Sequence, residues 1–130
     1  MIEGTCHCGA VQWRFDRMPN DATACNCTLC RRYGALWAYD FEGEALHFSG
    51  PTQMYLRGRH WIEFHFCVTC GCIAYWRAHA PDDAGRRRAA VNLRLTEPGP
   101  IARVPLDHFD GLDKLEDLPR DGRCVADYWF

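Results

Sequence analysis

The sequence predicts an antiparallel all-β domain. Three observations carry that prediction: short runs in which apolar and polar residues alternate, turn-forming clusters between those runs, and the dominance of alternation over helical periodicity. A chain of 130 residues is expected to form a single domain, residues 1–130, large enough to bury roughly two-thirds of its unfolded surface.

The elements follow in order. Between Ala10 and Phe15, the residues Val11, Trp13 and Phe15 share one face and Gln12 and Arg14 the other, the pattern of a half-buried strand. Leu36 to Phe41 alternates through Trp37, Tyr39 and Phe41. His60 to Phe66 puts Ile62, Phe64 and Phe66 together, and Ile73 to Trp76 and Ala89 to Leu95 are further β-type runs. Pro19-Asn20-Asp21, Ser49-Gly50-Pro51, Arg57-Gly58-Arg59, Pro81-Asp82-Asp83 and Glu97-Pro98-Gly99-Pro100 are the turn signals. The last part of the chain is acidic and turn-rich, a short irregular or helical tail with one or two helical turns expected over Lys114–Leu118, ending at Pro119. Tyr128, Trp129 and Phe130 are expected to pack back onto the sheet, since three aromatics are costly to leave in water.

The formal net charge is −2, and no run of about twenty apolar residues offers a membrane span. The opening MIEGTCHCG has neither a basic nor an apolar leader region, so a cytoplasmic protein is expected. In that reducing compartment nine cysteines are an odd count for disulfides but a sensible one for metal ligands, with Cys72 and Cys124 left over. Two zinc ions would add +4 and seven thiolates −7, moving the formal charge from −2 to −5. General nucleic-acid binding, which needs a positive face, is therefore not expected, nor is a membrane role. Arg86-Arg87-Arg88 reads as a solvated loop before a strand.

Seven cysteines stand in short chelating groups: Cys6-His-Cys8, Cys25-Asn-Cys27-Thr-Leu-Cys30 and Cys67-Val-Thr-Cys70. Four thiolates close a tetrahedral zinc site, whereas three leave a position for water or substrate. Cys67-Val-Thr-Cys70-Gly71 reads as a zinc knuckle, with Gly71 free to take a positive φ after the second ligand. A redox pair would instead stand at a helix start in a βαβ unit, and here a strand precedes. The economical partition groups Cys6, Cys8, Cys67 and Cys70 as a closed structural site and leaves Cys25, Cys27 and Cys30 as a second site. Spacing alone leaves the opposite grouping open. It also leaves open whether His65, Cys72 or His7 completes the triplet, or solvent does. Arg31 and Arg32 directly after Cys30 offer charge for a thiolate-rich site or for a ligand carboxylate, against the plainer reading of two solvated arginines.

The ordered motifs Gly4-x-Cys6-x-Cys8-Gly9-x-Val11, Cys25-x-Cys27-x-x-Cys30-Arg31-x-x-Gly34 and Phe66-Cys67-x-x-Cys70-Gly71 resemble the glutathione-dependent formaldehyde-activating enzyme family, which includes centromere protein V. The resemblance covers about residues 4 to 95. It implies a β-tent fold of small antiparallel sheets stapled by two zinc ions. The structural zinc would sit on Cys6, Cys8, Cys67 and Cys70, and the catalytic one on Cys25, Cys27 and Cys30. The activity it implies is carbon–sulfur bond formation or cleavage on a small thiol such as glutathione, giving S-(hydroxymethyl)glutathione from formaldehyde. Arg31 and Arg32 are then candidates for holding the carboxylates of the thiol, and Trp37 and Tyr39 for a pocket wall, although strand aromatics are usually core. His65 reads most simply as a satisfied strand histidine, Cys72 as core and Cys124 as inert. The rival readings are a non-enzymatic zinc-stabilised β-domain that binds a protein partner, and a thiol or metal buffer. The sequence sets no oligomeric state.

Overall fold

The structure, a computed structural model, describes residues 1–59 and 61–129. The chain runs through β1 (Ile2–Thr5), β2 (Gln12–Phe15), β3 (Ala22–Cys25), α1 (Cys30–Tyr33), β4 (Trp37–Phe41), β5 (Leu46–Ser49) and β6 (Thr52–Arg57). It continues with β7 (Ile62–Cys67), β8 (Ile73–Ala78), β9 (Arg88–Asn92), α2 (Pro98–Ile101), β10 (Leu106–Asp110), β11 (Glu116–Leu118) and α3 (Ala126–Trp129). The architecture is the all-β one that the alternation predicts.

Two sheets result. β1, β2 and β5 form a three-stranded antiparallel sheet, with Ile2 opposite Phe15 and Trp13 opposite Phe48. Its inward residues Ile2, Trp13, Phe15 and Leu46 are buried because the period-2 pattern puts all of them on one side. The larger sheet has eight strands in the order β11-β10-β3-β4-β9-β8-β7-β6. Its pairs are antiparallel except β3 with β10, which run parallel with Cys25 level with Phe109. A parallel pair needs a long connection, and this one brings the C-terminal third of the chain beside the first cysteine of the triplet.

The core divides in two. One cluster, including Val11, Trp13, Phe15, Leu36, Tyr75 and Val91, fills the space beneath the small sheet and takes in Cys6 and Cys67. The other joins Trp37, Phe64, Ile73, Trp76 and Ala90 to Cys27 and Cys30. Each cysteine group is therefore anchored in its own apolar body.

The run expected from Ala89 to Leu95 ends as a strand at Asn92, and Leu93–Leu95 is a 3-10 turn whose first N–H groups are served by the Asn92 side chain accepting from Arg94. Lys114–Leu118 does not form the expected helical turn. Leu115 adopts φ 56°, which no right-handed helix accommodates, and the Asp110 carboxylate accepts from the N–H groups of Asp113 and Lys114 to hold a tight turn into β11. Tyr128 packs against the first core cluster, as expected of the aromatic tail. The Trp129 side chain, Phe130 and His60 lie outside the described residues.

Candidate metal centres and an aromatic cleft

The chain brings Cys6, Cys8, Cys67 and Cys70 together, with all four sulfurs within 4.8 Å of one another. Cys8 Sγ lies 3.6 Å from Cys6 Sγ and 3.5 Å from Cys67 Sγ. Zinc–sulfur bonds of about 2.3 Å place tetrahedral sulfurs just under ~4 Å apart, so this donor set fits one zinc ion. Cys6 and Cys8 follow β1, and Cys67 closes β7 after a bulge between His65 and Phe66. Gly71, at φ 77°, lets the chain turn back so that its N–H reaches the Cys67 carbonyl at 2.9 Å. The N–H groups of Val11 and Thr69 point at the Cys6 and Cys67 sulfurs. Backbone N–H groups of Cys72 and Cys8 hold the Cys70 thiol down to about 5. Ala10 N–H favours a Cys8 thiolate, but the hydrogen bond with Cys67, burial and the contacts with Cys6 and Cys70 together outweigh it and push Cys8 up to about 12. Four such thiols ionise together only with a cation among them.

Cys25, Cys27 and Cys30 form the second group, again within 4.8 Å, and among the described residues no fourth His, Cys, Asp or Glu joins them. Cys25 ends β3 and Cys30 begins α1, so the intervening loop folds the three sulfurs inward. Each receives a donor: Cys27 N–H on Cys25 Sγ (3.5 Å), Cys30 N–H on Cys27 Sγ (3.2 Å) and Trp37 Nε1–H on Cys30 Sγ (3.4 Å). Arg57 Nη1, from the end of β6, donates to Cys27 Sγ at 3.1 Å. The Cys30 thiol, followed by backbone N–H groups, holds Cys25 down to about 6, and its hydrogen bond with Cys25 and its own burial push Cys30 well up. The three-thiol set also fits zinc, with one side that no described His, Cys, Asp or Glu closes.

That side is a cleft of 360 Å³ lined by the three cysteines and by Trp37, Tyr39, Arg57, Trp61, Phe64, Trp76, Phe109, Gly111 and Leu115, among others. Trp37 and Tyr39 both line this cleft, and Trp37 is at the same time buried in the second core cluster. Burial, followed by the nearby cysteines, raises the Tyr39 phenol well above its ordinary value although Thr23 opposes the shift, so it stays protonated. Arg31 and Arg32 do not line this cleft. Arg31 lies in a shallow depression with Arg94 and His108, on another side of Cys25 and Cys30. Arg32 lines a groove with Tyr55 and Arg57, and its guanidinium donates to the Thr28 carbonyl at 2.6 Å.

Sequence reasoning misses several cleft residues. Arg57 reads as part of a turn signal, and its approach to a cysteine 30 positions away has no local mark. Gly111 must be glycine for closeness: a Cβ there would stand 2.6 Å from Cys25 Sγ. Asn26, between two of the cysteines, donates through Nδ2 to Asp110 at 3.1 Å and accepts from Leu112 N–H at 3.0 Å, latching the thiol loop to the turn that carries Gly111 and Leu115.

His65 joins neither group. Its Nδ1 shares a 2.8 Å hydrogen bond with Thr52 Oγ1 and its ring stacks on Tyr75. Burial, then Arg77, lowers its pKa, with Glu63 opposing. Cys72 packs against the first core cluster, and Cys124 Sγ contacts Asp127.

A family model described as glutathione-dependent formaldehyde-activating enzyme matches residues 1–98. A provisionally named glutathione-dependent formaldehyde-activating enzyme of Halomonas elongata is 28% identical over 141 residues, covering 98% of this chain and 88% of that protein. The crystal structure of a Rhodobacter sphaeroides protein aligns with a TM-score of 0.61 at 27% identity, covering 81% of this chain and 99% of the other. With both cysteine groups inside the matched span, the chain belongs to the glutathione-dependent formaldehyde-activating enzyme family.

Proposed function

We propose that the three-thiol site makes and breaks the carbon–sulfur bond between glutathione, or a similar small thiol, and an aldehyde, as an S-(hydroxymethyl)glutathione synthase-like lyase. One observation carries the reading: three thiols, with no fourth His, Cys, Asp or Glu beside them among the described residues, form part of a cleft wall, whereas the other group is complete at four. Cys25, Cys27 and Cys30 would hold one zinc, and Cys6, Cys8, Cys67 and Cys70 the other. Zinc in a three-thiolate site acidifies a thiol at its fourth position and polarises a carbonyl oxygen.

The chain's own residues do the rest. Arg57 and the Trp37 indole draw charge from Cys27 and Cys30, so the site tolerates a further anionic sulfur. The apolar walls exclude water around the carbonyl carbon. Arg31, in the depression on the other side of the same cysteines, would receive a carboxylate of the thiol, and Arg32 lines the groove that Arg57 shares. The thiol sulfur bonds the aldehyde carbon, the carbonyl π bond opens, and the proton lost by sulfur ends on oxygen; nothing is oxidised or reduced.

Exchange spectroscopy on glutathione, formaldehyde and S-(hydroxymethyl)glutathione with the two-zinc protein tests this. Exchange faster than the spontaneous rate, and abolished by Cys27→Ser, is the expected result. A rate equal to the spontaneous one would return the protein to the binding or buffering roles.

A further inference from the structure

The cleft is far larger and more apolar than a one-carbon aldehyde requires. Formaldehyde is little bigger than a water molecule, whose share of liquid volume is about 30 Å³, against a cleft of 360 Å³. Three indoles, a phenol and two phenyl rings line it, beside Ile62 and Leu115. The apolar surface also continues outward: at the mouth Trp61 is 69% and Leu115 70% exposed, on two loops that flank the opening. Solvent-facing large side chains at a cleft entrance are costly unless something covers them.

Charge points the same way. Arg57 is the one cationic residue among the described residues lining the cleft, and it is directed at Cys27 Sγ. Its presence in the wall also disfavours a cationic guest, which aromatic walls alone would accept. Under the proposed carbon–sulfur chemistry, the carboxylates of a thiol such as glutathione would find their partners outside the cleft, in the depression that Arg31 lines.

We infer that the aldehyde half of the substrate carries a large apolar group, aromatic or aliphatic, which lies against Trp61, Phe64, Trp76 and Leu115 while its carbonyl carbon meets the thiol at the three cysteines. This rests on the proposed carbon–sulfur chemistry and narrows its substrate. The step is unchanged in balance: the S–C bond forms, the carbonyl π bond breaks, and the sulfur's proton moves to oxygen, giving a hemithioacetal.

The test compares phenylacetaldehyde with formaldehyde, each with glutathione, on the two-zinc protein, by exchange spectroscopy and by quenching of tryptophan fluorescence. Catalysed exchange, as kcat/KM above background, is expected to be at least about tenfold faster for phenylacetaldehyde, since one well-placed methylene alone is worth about 10- to 200-fold. Trp61→Ala and Leu115→Asp, both at exposed positions, should each cut that preference several-fold. Equal or greater acceleration with formaldehyde would overturn the apolar substrate and leave the lyase reading standing. No acceleration with either aldehyde, but saturable quenching by the phenylacetaldehyde adduct that Trp61→Ala weakens, would overturn the lyase reading and support the cleft as an apolar site. Absence of both acceleration and quenching would overturn the inference.

Discussion

The two cysteine groups offer the same ligand atoms in different surroundings. Cys6, Cys8, Cys67 and Cys70 join segments 59 positions apart at the seam of the small sheet and β7, with backbone N–H groups on all four sulfurs. Cys25, Cys27 and Cys30 lie within six consecutive residues, receive an indole and a guanidinium, and form part of an aromatic cleft wall. A metal that closes a long loop restrains the unfolded chain, and one held by a short loop does so far less. Under the proposed function, fold support and chemistry would thereby be separable in one small domain.

The severest break of this comparison is at the seam. Cys67→Ser or Cys70→Ser should give an aggregated or unfolded protein, because structural zinc contributes energy comparable with a whole domain's stability. Unchanged cooperative melting would reject the structural role. In the cleft, Cys27→Ser should lower zinc from about two per chain toward one and abolish exchange, with far-ultraviolet circular dichroism retained. Loss of fold here would mean the roles are reversed.

Smaller effects sharpen the contrast. Arg57→Gln should lower kcat/KM by about 10- to 100-fold, the usual cost of losing a partner of a metal ligand, with zinc content measured alongside. A change below twofold would show that its contact with Cys27 does not matter. Asp110→Asn should raise KM a few-fold by freeing the turn that bears Gly111 and Leu115. The Asn26 hydrogen bond, with those from the following backbone, holds the Asp110 carboxyl below its ordinary value of 3.8. Its stabilising contribution is therefore complete above about pH 4 to 5 and is lost as pH falls through the lowered value. The melting difference between wild type and Asp110→Asn should stay level at higher pH and close in acid; a gap that widens in acid contradicts the assignment. Smallest of all, Cys72→Ala should leave zinc content unchanged.

What the sequence makes legible is local. Alternation exposes β2, β4, β7, β8 and β9 because large side chains such as Trp13, Phe64 and Trp76 mark their buried faces. β3 escapes notice because Ala22, Thr23 and Ala24 bear no such mark, and β10 because its neighbours in space lie some eighty positions back. The chelating cysteines are visible for the same local reason, since two or three ligands of one ion must be close in sequence or brought close by a turn. Arg57, Gly111 and Asn26 are invisible because their partners are set by tertiary contact. Leu115 follows suit, as a lone φ of 56° overrides the helical turn that its neighbours favour.

The parallel pairing of β10 with β3 separates two kinds of inheritance. The cysteines lie within residues 1–98, the span shared with the family model, while Phe109, Gly111 and Leu115 come from beyond it. The thiols and one part of the cleft wall are thus written in different stretches of the chain. Exchanging residues 106–118 between relatives would remodel that part of the wall and leave every thiol of the two groups in place.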